Sequence, residues 1–252
     1  MHEKPKIYAF IPSRMGSERF RAKPLALING KPMIQHVYER AAKAKGLKDI
    51  FVATDNLEIA KVVESFGGKA IITKESHKCG TDRIHEAAQI VGLLAEDIVI
   101  NIQGDQPAFH PSVLECLVEP FFNSPQVLMT TLCFPVTDPK LLEDPNIVKV
   151  VVDHLGFALY FSRSCIPFKR SSNPAFRYLK HLGFYAYKRS FLETFANLPE
   201  GRLEATERLE QLRALENGYK ILVVESPYDS LEVDVPSDLE EVERYLEENP
   251  WL

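Results

Sequence analysis

Four cations, Arg14, Arg19, Arg21 and Lys23, crowd the loop that follows the apolar run Ile7-Tyr8-Ala9-Phe10-Ile11. Gly16 and the hydroxyls of Ser13 and Ser17 lie in the same stretch. α/β proteins hold anionic ligands on loops of this kind, at the carboxyl end of a parallel strand, and a polyphosphate is the ligand this loop suits. It is not a P-loop of the GxxxxGK[ST] type, because Pro24 follows Lys23 and the spacing from Gly16 is too long. The same residues also suit a solvated basic loop with no ligand. Asp105 leaves a second apolar run inside Gln103-Gly104-Asp105-Gln106-Pro107, where Gly104 permits a turn and Pro107 stiffens the exit. An acid there serves either a Mg²⁺-phosphate site or the turn itself. Asp234 sits in Glu232-Val233-Asp234-Val235-Pro236-Ser237-Asp238, where Ser237 or Asp238 is expected to cap the last helix. That leaves Asp234 as a second metal ligand or as a structural acid.

Two further groups are candidates for a pocket wall. His181 and Tyr185 lie at i and i+4 of one strand, and Tyr187 extends the same face. The stripe lines a pocket or makes a half-buried sheet face. Glu204, Glu207, Glu210 and Gln211, mixed with Arg202, Arg208 and Arg213, are expected on one helix. They read as solvated ion pairs, or as an acid and amide projecting into a site. No Gly-x-Ser-x-Gly context and no metal-type histidine cluster is present in the sequence. Cys79, Cys116, Cys133 and Cys165 have no metal-ligand spacing and read as reduced thiols.

The elements that must position these residues alternate in type. Strands are expected at 7–11, 50–53, 69–72 and 97–102, with helices after Pro32, over 57–66, around Ile84 to Val91 and over 111–122. This order predicts an α/β fold: a three-layer, mostly parallel, Rossmann-like sheet. Strands at 127–134, 147–152, 156–162 and 179–187 without helices between them predict an antiparallel excursion. Helices near 189–197 and 204–217, a strand at 220–224 and a helix over 237–247 complete the reading. The 252 residues, 45% hydrophobic, suit one domain with an inserted strand-rich lobe near 135–190. A net charge of −5 with one local basic loop suits a small anion and speaks against nucleic acid. No apolar run approaches the ~20 residues that span a bilayer, and residues 1–6 lack a signal-peptide core, so no membrane is expected and the cytoplasm is.

Together these blocks resemble the 3-deoxy-manno-octulosonate (Kdo) cytidylyltransferases, or CMP-Kdo synthetases, along nearly the whole chain. The resemblance rests on Ile11-Pro12-Ser13-Arg14 with Lys23-Pro24-Leu25, Val52-Ala53-Thr54-Asp55, Gly80-Thr81-Asp82-Arg83 and the 101–107 block. It continues through Tyr160-Phe161-Ser162-Arg163, the 181–187 block, Leu209-Glu210-Gln211-Leu212-Arg213 and Asp234-Val235-Pro236. The His181 and Glu210 blocks narrow it to Kdo rather than to the related CMP-sialic acid synthetases. A glycosyltransferase would want an Asp-x-Asp motif, and a non-catalytic anion-binding module would not need two metal-type acids.

The resemblance implies transfer of CMP from CTP to the anomeric hydroxyl of Kdo, with Mg²⁺ as cofactor, in a homodimer serving lipopolysaccharide synthesis. Arg14, Lys23, Asp105 and Asp234 would be catalytic, with Asp105 and Asp234 on the metal. Pro12, Ser13, Arg14, Lys23, Cys79, Gly80, Arg83 and Gln103 would bind the nucleotide. Arg163, His181, Tyr185, Glu210 and Gln211 would bind the sugar acid. This chain has Arg21-Ala22 where the family usually has Pro-Gly, Cys79 for Ser, Gln106 for Glu and Val235 for Thr.

Overall fold

Alternate residues of the first strand, β1 (Ile7–Ser13), decide the layering. Ile7, Ala9 and Ile11 enter one apolar cluster and Phe10 enters another. That is the two-residue period of a strand covered on both faces. The computed structural model describes residues 4–16, 20–170 and 176–249, so Ser17 and Arg19 lie outside the described residues.

A 3-10 turn (Lys23–Leu25) follows, then β2 (Leu27–Ile28), β3 (Lys31–Pro32), α1 (Met33–Lys43), β4 (Leu47–Thr54), α2 (Leu57–Ser65) and β5 (Ala70–Ile72). Next come α3 (Gly80–Val91), β6 (Ile98–Asn101), α4 (Ser112–Asn123), β7 (Met129–Val136), α5 (Pro139–Glu143), β8 (Lys149–Val152) and β9 (Ala158–Ser162). The chain closes with β10 (Tyr178–Lys188), α6 (Arg189–Ala196), α7 (Arg202–Glu207), α8 (Leu212–Glu216), β11 (Leu222–Glu225) and α9 (Asp238–Glu248).

The central sheet has the order β11-β7-β10-β6-β1-β4-β5. Only β10 runs against its neighbours; every other adjacent pair is parallel. Ile34 and Val37 of α1, Ile59 of α2 and Leu117 of α4 pack on one face. Ile84 and Ala87 of α3 and Phe191 and Leu192 of α6 pack on the other. The expected three-layer, mostly parallel architecture is the one observed. β4 lies on one side of β1 and β6 on the other, so the chain reverses its direction of travel between β1 and β6. The crevice at the carboxyl ends of those two strands is a topological switch point, the usual ligand position in such sheets.

The residues grouped from sequence as a lobe over 135–190 divide in the structure. β10 is a central strand, while β8 and β9 form an extension joined to its start through Leu179 and Val150. β10 also carries a bulge. His181 stands opposite Cys133 and Tyr185 opposite Thr131, so four residues of β10 advance against two of β7. Gly183, in the middle, has φ +73, a conformation that favours glycine. The single helix expected over 204–217 is a correction: α7 stops at Arg208, which is left-handed with φ 55, and α8 starts only at Leu212.

Candidate active site

Backbone pairing brings the two candidate metal acids, Asp105 and Asp234, together although they lie 129 positions apart in the chain (234 − 105). Beyond β6 the Asp105 carbonyl accepts from Val233 N at 2.8 Å, and Leu231 N donates to Ala108 O at 3.2 Å. Lys23 lies between the acids: its Nζ is 2.6 Å from Asp105 Oδ2 and 3.7 Å from Asp234 Oδ1, and donates to Val233 O at 2.6 Å. Asp238 does not cap α9. Its Oδ2 accepts from the backbone N–H groups of Asp234 (2.7 Å) and Val235 (2.9 Å), which braces the Asp234 loop.

Converging carboxylate oxygens are the donor set Mg²⁺ takes, and the ammonium of Lys23 shows that one cation can face both Asp105 and Asp234. The two acids therefore fit the metal. No set of three or more His, Cys, Asp or Glu is placed as ligands among the described residues, so the remaining positions would fall to substrate oxygens and water.

Two cavities open on either side of this centre. One, of about 530 Å³, is lined by Pro12, Ser13, Arg14, Lys23, Cys79, Gly80, Arg83 and Gln103, the complete expected nucleotide set. Its walls are drawn close by glycine. A Cβ on Gly104 would lie 3.0 Å from the Pro12 carbonyl oxygen, and one on Gly80 would lie 3.1 Å from Pro12 Cγ. The start of α3 faces this cavity, with backbone N–H groups suited to an anion. Arg83 is buried; its guanidinium pairs with Asp55 and donates to Thr73 Oγ1 at 2.6 Å, so it braces the floor. Arg21 is exposed and lies off the cavity wall.

The other cavity, of about 620 Å³, is lined by Arg163, His181, Tyr185, Glu210 and Gln211, the complete expected sugar set. Gln103 and Asp105 line both cavities, so the two meet at the end of β6. The break at Arg208 matters here. Four successive residues, Arg208 to Gln211, line this cavity, whereas a helix turning about 100° per residue would point them round most of its circumference.

None of the acids expected on that helix is a simple solvated charge. Glu204 is buried in a two-point pair with Arg213 (2.9 and 2.6 Å). Glu207 accepts from Ser162 Oγ (2.6 Å) and Arg163 N (3.0 Å). Glu210 accepts from Cys79 Sγ at 3.0 Å and Thr81 Oγ1 at 2.8 Å, and burial raises its pKa. Burial and the Glu210 charge likewise hold Cys79 well above the usual thiol range, so it is an S–H donor and not a nucleophile.

His181 is a neutral acceptor. Enclosure lowers its pKa to about 3. Thr131 Oγ1 gives its proton to Phe184 O (2.7 Å), so it accepts from His181 Nε2 (2.9 Å), and Nδ1 is left as the acceptor. Arg163 is held by carbonyls, donating from Nε to Glu207 O (2.8 Å) and from Nη1 to Pro145 O (2.9 Å).

Several wall residues lie outside the sets read from the sequence. Glu232 lines the larger cavity two residues before Asp234; a strand-like period of two was the available signal. Enclosure, then the charges of Asp105 and Asp234, push its carboxyl up to about 7, although the side chain stays open to cavity solvent. Lys180 lines the same cavity and pairs with Asp229 at 2.9 Å. Lys149 is fully buried and spends its three donors on the carbonyls of Asp144 (3.0 Å), Ile147 (2.6 Å) and Arg163 (2.6 Å), which fixes the cavity wall.

A mostly parallel sheet with a basic loop after its switch-point strand, paired acids and two abutting cavities defines a nucleotidyltransferase. The chain belongs to the cytidylyltransferase family, whose profile it matches over residues 8–221. It is 58% identical to the 8-amino-3,8-dideoxy-manno-octulosonate cytidylyltransferase of Shewanella pealeana, over 84% of this chain and 87% of that protein. It is 51% identical to the 3-deoxy-manno-octulosonate cytidylyltransferase of Desulfatibacillum aliphaticivorans, over 96% and 99%. Among solved structures, a CMP:2-keto-3-deoxy-manno-octonic acid synthetase complexed with CTP superposes with a TM-score of 0.90 at 43% identity, over 97% of this chain and 99% of that one. A 4-diphosphocytidyl-2C-methyl-D-erythritol synthase shares the fold alone, with a TM-score of 0.64 at 14% identity over 97% and 100%.

Proposed function

We propose that the protein transfers CMP from CTP to the anomeric hydroxyl of Kdo, releasing pyrophosphate and activating Kdo for lipopolysaccharide synthesis. The observation that carries this reading is the meeting of the two cavities at Gln103 and Asp105, beside Lys23 and Asp234. The names of the relatives support a Kdo-type sugar acid. A cytoplasmic homodimer is part of the same proposal; no helix among the described residues is long and apolar enough to cross a membrane.

The obstacle is to bring a sugar acid to a nucleotide when both are anions. Arg14 and Lys23 would neutralise the triphosphate and the charge that grows on departing pyrophosphate. Ser13 and the start of α3 add neutral donors on the same side. The anomeric oxygen attacks the α-phosphorus in line; that O–P bond forms as the bond from the α-phosphorus to the bridging oxygen breaks, pyrophosphate leaves with that oxygen, and the hydroxyl proton passes to water. Asp105 and Asp234 would hold Mg²⁺, which when bound supplies charge neutralisation and a lowered hydroxyl pKa. Arg163 gives the sugar side a fixed cation, His181 offers an acceptor, and Glu210 holds the wall between the substrates. No covalent enzyme intermediate is needed, in keeping with the protonated Cys79 thiol.

A second reading has one observation in its favour: relatives named for the 8-amino-3,8-dideoxy sugar acid reach 58% identity. Both readings are tested by pyrophosphate release from CTP and Mg²⁺ with Kdo, with the 8-amino sugar acid, and with UTP or sialic acid as controls. Release with CTP and an octulosonate alone is expected. Equal release with sialic acid, or none with either octulosonate, overturns the proposal.

A further inference from the structure

Buried polar atoms without a partner are costly, so where they cluster at a cavity wall they mark contacts that a ligand completes. Among the described residues, seven buried side-chain polar atoms have no hydrogen-bond partner. Three belong to residues of the two cavities: Ser13 Oγ on the nucleotide side, and Gln211 Nε2 and Gln106 Oε1 on the sugar side. The other four line neither cavity. Ser13 and Gln211 are residues already given to the nucleotide and the sugar acid. Gln106 carries the same mark and has no role assigned.

The orientation of the Gln106 amide is set by its surroundings. Its Nε2 donates to Leu182 O at 2.6 Å, on the bulge of β10. A carbonyl only accepts, so the atom facing it is the NH₂ group and Oε1 is the atom turned away. Flipping the amide would set two oxygens against each other. The bulge keeps this geometry, because a Cβ on Gly183 would come within 3.4 Å of Gln106 Nε2. The side chain is only 3% exposed, so a donor for Oε1 has to come from the cavity that Gln106 lines.

We propose that Gln106 is a further sugar-binding and specificity-determining residue, whose side-chain carbonyl accepts a hydrogen bond from a hydroxyl or ammonium donor of the bound sugar acid. This rests on the cytidylyl-transfer reading of the site. Its position next to Asp105, where the cavities meet, lets it sense the sugar acid without touching the nucleotide cavity.

The test uses the full-length enzyme with Gln106→Met, which removes both the acceptor and the donor to Leu182 O at nearly constant length, and Gln106→Glu, whose protonated carboxyl donates O–H to Leu182 O and restores a carbonyl acceptor. KM values for CTP and for each sugar acid, kcat and the melting temperature are measured with Kdo, its monodeoxy analogues and the 8-amino sugar acid. Gln106→Met is expected to raise the sugar-acid KM about tenfold, the worth of one buried hydrogen bond, and to leave the CTP KM within about twofold. Gln106→Glu is expected to recover most of the loss. One analogue lacking the donor should show the same loss with the wild type and no further loss with Gln106→Met. An unchanged sugar-acid KM in Gln106→Met, or equal rises in both KM values with a lowered melting temperature in both variants, overturns the inference while wild-type turnover leaves the proposed function standing. If Gln106→Met does not fold, a wild-type-like Gln106→Glu beside a donor-lacking analogue that loses nothing overturns it equally. Absence of wild-type turnover with every octulosonate overturns both.

Discussion

The thiol of Cys79 donates to the carboxylate of Glu210 across 3.0 Å, and Thr81 joins it at 2.8 Å. Cys79 lines the nucleotide cavity and Glu210 the sugar cavity, so one hydrogen-bonded unit walls both. Glu210→Ala should therefore raise the KM of both substrates, each by roughly tenfold for a lost charged hydrogen bond. Cys79→Ser keeps a donor and should stay near wild type. Steady-state KM values check this, and an effect confined to the sugar acid would show that the bridge carries nothing.

Lys23 faces Asp105 and Asp234 and answers the charge of Glu232 as well. Lys23→Ala removes a preorganised cation and leaves three carboxyl groups to repel one another. A loss in kcat on the order of 10²-fold or more is expected. A factor of two would place Lys23 outside the chemistry.

His181 should stay neutral across the working range. Its folded-state pKa, about 3, lies below the ordinary 6.5, so below about 6.5 the unfolded chain binds a proton that the folded chain refuses. Its contribution to stability is intact above that pH and is lost as pH falls toward 3. Imidazole NMR should show the Nε2–H tautomer with no titration between about pH 5 and 8. A midpoint near 6.5 would contradict the assignment.

Lys149 touches neither substrate cavity, yet it ties Asp144, Ile147 and Arg163 together from beneath. Lys149→Met leaves three carbonyls unpaired. It should raise the sugar-acid KM by about tenfold and spare the CTP KM. Equal changes in both would mean general loss of structure rather than loss of the sugar wall.

Ala22 sits at φ 56, a left-handed position that costs a residue with a Cβ about 1 kcal/mol. Ala22→Gly should stabilise the protein by a few tenths to about 1 kcal/mol, less the entropy glycine adds to the unfolded chain. Denaturant unfolding reads this directly, and destabilisation would mean the turn has other constraints.

Much of this was legible in the chain. The apolar runs at β1 and β6, each followed by a glycine-bearing loop, announce the parallel half of the sheet and its switch point. The acids after β6 and before α9 stand where they are expected. The break at Arg208 was hidden, because Glu204, Glu207, Glu210 and Arg213 have helical spacing and nothing in one sequence announces a left-handed arginine. Lys149 was hidden too: a lysine in a short strand reads as solvated until the carbonyls that capture it are known. Glu232 and Gln106 depend on contacts between segments far apart in sequence: the 231–233 segment against 105–108 for one, and the bulge of β10 for the other.

In the proposed reaction this site joins the α-phosphorus of CTP to the anomeric oxygen of an octulosonate. ³¹P NMR of CTP, Mg²⁺, Kdo and the enzyme follows both products at once. The three CTP signals are expected to give way to one phosphodiester and to pyrophosphate, in equal amounts and only when the sugar acid is present. Unchanged CTP, or release of CDP and phosphate without the diester, would contradict it.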